Sequence, residues 1–360
     1  MNKKNKKIIL SGGGTGGSVT PILAISKELK KQDESIDFIF VGTKNGPERA
    51  LVASFDQFPI PFKYLPAGKF RRYFSFKNLS DICKIISAFF KSFPLLLNEK
   101  PDLIITAGSF ASVPLAYAAF FLRIPILIHQ QDIRPGLANK LMAPLARVIT
   151  VVFEKSLVDY GPKAVLTGNP LILPKEYYWP ENVDINFFKT EKKLLLCIGG
   201  GTGAKDLNEL IYKTKDYLTD FCNIVHLTGK TKDFGLESDD SYQVIDFLEH
   251  EKVLSLIKRA DLVISRCGLG VLTELSAFKK PSILIPMPNS HQEDNADIFV
   301  KNEAAILLNQ EETSSNDLVN KVKETLNDNN KLEELSENIY RIMKKGAETK
   351  IAGIIWEIIK

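Results

Sequence analysis

The 360-residue chain contains only four cysteines, and no two of them are spaced as a Cys-x-x-Cys pair. This spacing excludes a zinc ribbon and gives no indication of a disulfide framework. Cys197 and Cys222 lie in apolar runs, where a thiol usually acts as a small buried hydrophobic group. The other two cysteines are Cys83 and Cys267.

The chain also has little excess charge and no long apolar leader. Its 47 Lys and Arg residues oppose 43 Asp and Glu residues, which leaves a formal charge of +4. A net charge this small does not indicate a nucleic-acid-binding surface, so we expect no nucleic-acid partner. Only Ile8–Leu10 follows the basic N-terminus before glycines begin, which is too short for a signal peptide or a membrane span. We therefore expect a cytoplasmic protein.

What is present is an internal similarity between two segments. Residues 8–17 read IILSGGGTGG, and residues 195–204 read LLCIGGGTGA. Each is an apolar run followed by a glycine turn and a helical pattern, which is the opening of a Rossmann-like unit. Because the pattern occurs twice in a chain long enough for two domains, it predicts two such units.

Short apolar segments alternate with helical patterns in both halves, which is typical of buried parallel sheets. They are residues 38–41, 103–106, 126–128 and 148–151 in the first half, and 224–227, 262–265 and 282–285 in the second. The predicted fold class is α/β, with two doubly wound parallel-sheet domains. We place the domains at 1–165 and 194–340, with a linker over 166–193 and a terminal helix over 341–360 that can pack back on the N-terminal domain.

Both glycine turns have the spacing of a phosphate-binding loop, in which a helix N-terminus presents N–H groups to an anion. A nicotinamide cofactor would further require an acidic residue after the second strand of each half. Gly42-Thr43 and Thr228-Gly229 stand at those positions, so an NAD-dependent oxidoreductase is disfavoured. Neither turn ends in Gly-Lys-Ser/Thr, which disfavours ATP hydrolysis as well.

Polar groups in the second half favour a nucleotide. Glu274 falls about one turn into the helix after strand 262–265, where a carboxylate can accept hydrogen bonds from both ribose hydroxyls. The alternative is a glutamate that only interacts with the helix dipole. Gln292 and Asn295 follow strand 282–285, and their amides can bind the vicinal hydroxyls of a sugar. The alternative there is a solvated loop before a helix cap.

These segments together resemble the MurG family of bacterial lipid-linked muropeptide N-acetylglucosaminyltransferases, of the GT-B class. The similarity runs from Ser11 to about Val300, and the order and spacing of its parts make it specific. The matching segments are Gly13–Gly17, Gly108–Ser112, His129–Asp132, Gly136–Lys140, Gly168–Pro170, Gly199–Ala204, His226–Gly229, Ala260–Arg266, Thr273-Glu274 and Gln292–Ala296.

The resemblance implies a fold and a reaction. Two Rossmann-like GT-B domains would face a central cleft. N-acetylglucosamine would pass from UDP-N-acetylglucosamine to lipid I, which is undecaprenyl-pyrophosphoryl-muramyl-pentapeptide, with inversion at the anomeric carbon. The product would be lipid II, for peptidoglycan synthesis. The C-terminal domain would bind the nucleotide sugar and the N-terminal domain the lipid acceptor, at the cytoplasmic face of the bacterial cell membrane.

The resemblance also implies the residues that contact the donor. They are Thr15, Gly16, Gly17, Asp132, Gly201, Thr202, Arg266, Leu269, Gly270, Thr273, Glu274, Gln292 and Asn295. We expect no cofactor and no tightly bound metal, because the chain has no Asp-x-Asp sequence. Helix N-termini, together with Arg266, can stabilise the departing diphosphate instead.

Some positions depart from the family pattern. Ser18 stands where the family has a histidine proposed to be catalytic, and serine is no base near neutral pH without help. Gln130 replaces a glutamate, and Asp132 replaces a sugar-contacting asparagine. Gly201 replaces the serine that is usual in the family. Ile172 lies near the position of the arginine that often follows Gly-Asn-Pro in the family.

These changes leave three candidate catalytic residues, which are Asp132, His129 and Ser18. Asp132 is the candidate for a substitute base, because it restores an ionisable group beside the donor site. For His129 the alternative is a hydrogen-bonded histidine at the end of a strand.

A membrane-facing stretch is predicted in the first half. The segment Lys69–Lys77 interleaves cations with aromatic rings, and the segment 82–97 continues with isoleucines, phenylalanines and two lysines. Cations attract anionic headgroups and aromatic rings settle at the interface, so we expect this stretch to contact an anionic membrane surface. The alternative is a helix that packs on the core and has a solvated basic rim.

Two other functions stay open. One is a related GT-B transferase that acts on another lipid acceptor, such as a diacylglycerol. The other is a non-catalytic binding homologue, which the replacements at Ser18 and Gln130 would allow.

Overall fold

The computed structural model describes residues 5–14, 16–68, 76–174, 176–177, 183, 191–200, 204–229 and 237–360. The chain divides into two compact units. The first comprises Met1–Ile172 together with Lys344–Lys360, and the second comprises Leu173–Met343. Among the described residues, no helix combines the length and the apolar character that a membrane crossing requires.

The first unit is built on a seven-stranded sheet whose neighbouring strands are all parallel. Its strands are β1 (Lys7–Ser11), β2 (Asp37–Gly42), β3 (Phe62–Tyr64), β4 (Leu103–Thr106), β5 (Ile126–Gln130), β6 (Val148–Val151) and β7 (Ala164–Leu166). Their order across the sheet is β3-β2-β1-β4-β5-β6-β7. Its helices are α1 (Thr20–Gln32), α2 (Pro47–Ala53), α3 (Phe76–Glu99), α4 (Ser112–Phe121), α5 (Leu137–Met142) and α6 (Lys155–Tyr160).

Apolar side chains on both faces place this sheet in the middle of the unit. Ile8 and Leu10 of β1 belong to one buried cluster, and Ile9 between them belongs to the other. Successive side chains of a strand point to opposite faces. A strand covered on both faces therefore reads as one continuous apolar run.

The second unit repeats the plan with a six-stranded parallel sheet. Its strands are β8 (Lys193–Ile198), β9 (Cys222–Leu227), β10 (Tyr242–Ile245), β11 (Leu262–Ser265), β12 (Ser282–Leu284) and β13 (Ile306–Leu307). Their order is β10-β9-β8-β11-β12-β13. Its helices are α7 (Lys205–Thr219), α8 (His250–Arg259), α9 (Leu269–Ala277), α10 (His291–Lys301), α11 (Ser315–Asn327) and α12 (Asn329–Ile342).

The last helix, α13 (Ala347–Ile359), belongs to the first unit. Ile351 and Ile355 are fully buried in the cluster that also contains Ile22 of α1. Trp356 donates its indole N–H to Oε1 of Gln32 at 2.7 Å. The end of the chain is therefore part of the core of the first unit.

The predicted α/β class with two parallel-sheet Rossmann-like domains is confirmed, and every predicted apolar segment forms a strand. The strands that were not predicted are β3, β7, β10 and β13, which are the edge strands of the two sheets. The observed units also differ from the predicted boundaries. Position 165 falls inside β7, and Ile172 still packs against the core of the first unit.

In both sheets the direction in which successive strands are added reverses at a switch point. This point lies between β1 and β4 in the first sheet and between β8 and β11 in the second. In open α/β sheets, ligands bind outside the carboxyl ends of the strands at this point. The glycine turn after β1 and the turn between β11 and α9 lie there. The sheet topology therefore indicates where each unit can hold a ligand.

Candidate functional site

A buried carboxylate supports the glycine turn that follows β1. Glu48 of α2 is fully buried, and its carboxylate accepts hydrogen bonds from the N–H groups of Gly14, at 3.3 Å, and Thr43, at 2.7 Å. A Cβ atom at Gly13 or Gly46 would lie only 2.8 Å or 2.1 Å from Glu48. Glycine at these positions therefore makes room for a carboxylate of the protein itself, and the Gly14 N–H already has an acceptor.

Ser18 closes the same turn. Its hydroxyl donates to the Gly13 carbonyl oxygen at 3.2 Å, and it accepts from the Gly13 N–H at 3.1 Å. Gly16 and Gly17 form a short 3-10 helix with Ser18. The hydroxyl therefore holds the backbone of the turn. Thr15, between these residues in sequence, lies outside the described residues.

The segment after β5 is bonded to this glycine turn. Gln131 donates its Nε2 hydrogen to the Gly17 carbonyl oxygen at 2.7 Å. Gln130 donates to the backbone carbonyl of Asp132 and accepts from Nδ2 of Asn139 at 2.7 Å. An ionised glutamate could not donate to that carbonyl, so glutamine suits this loop. The two glutamines hold a loop on which Asp132 is partly exposed.

His129 lies inside the protein. It is completely buried, with Nδ1 2.9 Å from Oγ1 of Thr150 and Nε2 2.9 Å from Oδ1 of Asn169. Burial lowers the pKa of His129 to about 4, so the ring is neutral near pH 7. This arrangement fits the alternative of a hydrogen-bonded histidine at a strand end, and it disfavours His129 as the catalytic base.

In the second unit, Glu274 lies on α9 beside the switch point. Its side chain is 12% exposed, and Oε1 lies 2.8 Å from Nε2 of His250, the first residue of α8. Leu269, at the start of α9, is buried, and its carbonyl oxygen accepts from the Thr273 hydroxyl at 2.7 Å. At Gly270, no atom lies where a Cβ would stand. The first turn of α9 thus has open space beside Gly270.

Arg266 is turned towards the interior of the second unit. Its Nη1 group donates to the carbonyl oxygens of Ile285, at 3.0 Å, and Pro286, at 3.1 Å, and Nη2 donates to Oε1 of Gln310. Burial lowers the pKa of the guanidinium. The side chain therefore ties the end of β11 to the end of β12, which disfavours the predicted contact with a diphosphate.

The amides of Gln292 and Asn295 also serve the turn after β11. Oε1 of Gln292 accepts from the N–H groups of Cys267, at 3.2 Å, and Met287, at 3.0 Å. The buried Asn295 donates to the Cys267 carbonyl oxygen at 3.1 Å. Within the described part of the chain, Nε2 of Gln292 has no hydrogen-bond partner and can donate to a ligand. The other two predicted donor contacts, Gly201 and Thr202, fall outside the described residues.

Sequence reasoning missed two residues with a place in these sites, Glu48 and His250. For Glu48 a signal was available, because Gly42 and Gly46 closely precede it and glycine permits a close approach. For His250 no sequence signal exists, because its partner Glu274 is on another helix. Those predicted residues that the structure describes form one group in each unit, around the glycine turn in the first and around α9 in the second.

Comparison with protein families matches both units. Residues 8–151 match the N-terminal domain of glycosyltransferase family 28, and residues 194–350 match its C-terminal domain. The chain belongs to glycosyltransferase family 28.

Individual relatives show which members of family 28 this chain resembles. It is 39% identical over 326 residues to the UDP-N-acetylglucosamine--N-acetylmuramyl-(pentapeptide) pyrophosphoryl-undecaprenol N-acetylglucosamine transferase of Clostridium botulinum strain Hall, which covers 88% of this chain and 90% of that one. It is 34% identical over 362 residues to the transferase of the same name from Borrelia garinii subsp. bavariensis, which covers 99% and 98%. The predicted membership of the MurG family is confirmed.

Solved structures agree on the fold of this family 28 chain. MurG from Acinetobacter baumannii superposes with a TM-score of 0.72 at 24% identity, covering 98% of this chain and 99% of that one. MnaA of S. aureus with UDP superposes with a TM-score of 0.74 at 18% identity, covering 97% and 96%. At these identities the likeness concerns the fold alone.

Three of the four histidines of this family 28 protein, His129, His226 and His250, should have pKa values displaced from the ordinary value of an imidazole. Burial lowers the pKa of His129 and of His226 to about 4, so neither ring should titrate between about pH 5.5 and 8. The pKa of His250 should lie above 6.5, because the hydrogen bond and charge of Glu274 outweigh the effect of burial, which lowers it. Proton–carbon NMR spectra of the imidazole rings across this pH range would measure each value.

The variant His250→Gln should remove only the signal that titrates at the raised value, and it serves as the assignment control. Because an unfolded chain protonates both buried rings near pH 6.5, folding stability should decrease as the pH falls from about 6.5 towards 4. A His129 signal that titrates near 6.5 would contradict the buried, neutral arrangement.

Proposed function

We propose that the chain transfers N-acetylglucosamine from UDP-N-acetylglucosamine to lipid I with inversion and so forms lipid II. The observation that carries this proposal is the identity of 34% and 39%, over 99% and 88% of the chain, to transferases named for this reaction. The similarity spans both units, so it includes the glycine turn of the first and the α9 region of the second.

The second unit supports the donor side of the proposal. Oε2 of Glu274 has no hydrogen-bond partner among the described residues, and a carboxylate oxygen readily accepts from ribose hydroxyls. The first N–H groups of α9 are unpaired within a helix and favour an anion such as a diphosphate. Nε2 of Gln292 can donate to a sugar hydroxyl. Together these groups suit a nucleoside diphosphate sugar.

Inverting transfer requires a base and a stabilised leaving group. The base removes the proton of the acceptor hydroxyl, the hydroxyl oxygen attacks the anomeric carbon, and the bond from that carbon to the diphosphate breaks on the opposite side. We propose Asp132 as the base, because it is ionisable and partly exposed on a loop that Gln131 bonds to the glycine turn. His129 and Ser18 would then act as positioning residues.

Backbone N–H groups would stabilise the departing diphosphate in this proposal. Helix N-termini supply such donors in fixed positions, and they serve charge that develops during a reaction. Arg266 would act indirectly, because its hydrogen bonds to Ile285 and Pro286 hold the turns that carry these N–H groups. The chain contains no Asp-x-Asp sequence, which supports a reaction without a tightly bound metal.

We also propose that the first unit contacts the anionic surface of the cell membrane on the cytoplasmic side. Several outward side chains of α3 are apolar, with Ile82, Ile86 and Phe90 exposed by 44%, 51% and 65%, and Lys84 and Lys91 of the same helix are exposed as well. Phe121 at the end of α4 is 65% exposed, and its ring centroid lies 6.1 Å from that of Phe89. Single exposed apolar residues are ordinary, but a cluster on two adjacent helices indicates an interaction surface. Residues 69–75, which carry the predicted cations Lys69, Arg71 and Arg72, lie outside the described residues.

A transfer assay tests the reaction. Radiolabelled UDP-N-acetylglucosamine should give labelled lipid II when lipid I is present, and no labelled lipid when diacylglycerol replaces it. Label on the diacylglycerol alone would show the related lipid transferase. A protein that binds UDP-N-acetylglucosamine but transfers to neither acceptor would be a binding homologue, and the proposal would be wrong.

The variant Asp132→Asn tests the base. Turnover should fall by about a hundredfold or more, because general base catalysis contributes on that order, while the affinity for UDP-N-acetylglucosamine should stay within about threefold. Single-turnover rates and calorimetric binding would separate the two effects. Glu154→Gln, a carboxylate exposed in the same unit, is the matched control. Unchanged turnover in Asp132→Asn would exclude Asp132 as the base.

The membrane surface is tested with vesicles that contain phosphatidylglycerol. Neutralising Lys69, Arg71 and Arg72 should weaken binding by about fivefold per charge, because each cation near an anionic surface contributes about 1 kcal/mol. Phe90→Ser should weaken binding about tenfold through lost apolar contact. Val158→Ser, at an 88% exposed position of α6, is the control and should bind like the parent. Equal binding by all variants in a sedimentation assay would contradict this surface.

A further inference from the structure

Glu274, one of the proposed donor-binding residues, is in contact with His250, which has no role in the reaction proposed above. Nε2 of His250 lies 2.8 Å from Oε1 of Glu274. The histidine side chain is 39% exposed and the glutamate side chain 12%. The bond joins the first residue of α8 to the second turn of α9, so it connects two helices that pack against each other.

The bond affects one carboxylate oxygen and leaves the other available. An unrestrained glutamate has three rotatable side-chain bonds, and ordering it on binding costs free energy. A hydrogen bond from His250 to Oε1 restricts those rotations before any ligand arrives. Oε2, without a partner among the described residues, then has a defined position from which to accept a hydroxyl.

We propose that His250 is a positioning residue that orients Glu274 towards the ribose of the donor and makes ribose recognition depend on pH. The inference rests on the proposed function, in which Glu274 accepts hydrogen bonds from the ribose hydroxyls. It goes beyond that function because it assigns a role to a residue outside the predicted site.

The charges around His250 determine the direction of the pH dependence. Glu274 faces it from α9, in which no other residue is charged, and Glu251 follows it on α8. The buried residues of β8, which also packs on α8, carry no charge. Burial lowers the pKa of His250, but the bond and charge of Glu274, with the charge of Glu251, raise it above its ordinary value.

The raised pKa fixes the sign of the effect. A group with a raised pKa keeps its charged interaction below that value and loses it as the pH rises through it. Charge-assisted hydrogen bonds are about twice as strong as neutral ones. Glu274 should therefore be held more firmly at about pH 6 than at about pH 8.5.

Binding of uridine diphosphate and of 2′-deoxyuridine diphosphate, compared by calorimetry, tests the inference. The ratio of the two affinities reports the ribose contact, and the titration of the phosphate cancels in it. At about pH 6 the parent should prefer uridine diphosphate by about tenfold, in the range expected for a hydrogen bond to a charged group. His250→Ala should reduce that preference to about twofold.

Two variants provide controls. His250→Gln retains an N–H donor and should keep most of the preference, but without the decrease between about pH 6 and 8.5 that the parent should show. Glu251→Gln removes a neighbouring charge without removing the bond, and its preference at pH 6 should equal that of the parent. Equal thermal unfolding midpoints would show that all variants are folded.

The outcomes separate the two claims. If the parent binds uridine diphosphate and His250→Ala keeps the full preference, the positioning role is wrong and the proposed function stands. If the parent binds neither nucleotide, the donor assignment fails, and the inference fails with it. A preference that does not change with pH in the parent would overturn the pH dependence.

Discussion

A parallel strand that is covered on both faces is constrained to carry mostly apolar side chains until it ends. The central strands of both units meet this constraint with continuous apolar runs, such as Ile8–Leu10 in β1 and Leu194–Leu196 in β8. Polar groups therefore collect where the strands stop. Because neighbouring strands are parallel, their carboxyl ends share one edge of the sheet, and the switch point opens a crevice there. The location of both candidate sites follows from this one constraint.

The same constraint explains why so many site residues bond to the protein itself. A buried polar group without a partner costs roughly 1–3 kcal/mol. Glu48 accepts from backbone N–H groups, Arg266 donates to backbone carbonyls, and His129 has a partner on each nitrogen. These bonds hold the turns in one shape, from which a smaller number of free atoms can meet a ligand. Preorganisation of this kind lowers the cost of ordering groups on binding.

Prediction succeeded for the central strands and failed for the edge strands for one physical reason. Strands such as β4 and β11 are covered on both faces, so their residues form an uninterrupted apolar signal. The edge strand β7 is only half-buried along its length, and β13 has two residues. The site residues also divide into those that the sequence predicted and those that it did not. Glu274 was found because it lies at a fixed distance from a strand end, whereas Glu48 and His250 act through contacts with segments distant in sequence.

The sequence by itself determined the fold class, the two glycine turns and the membership of glycosyltransferase family 28, because each depends on residues close together in the chain or on their order along it. Only the tertiary structure decided how individual side chains are used. It turned Arg266 and His129 inward, placed the Glu48 carboxylate against the first glycine turn, and brought His250 to Glu274. Such pairings depend on which elements the packed sheet makes neighbours, and the local sequence does not contain that information.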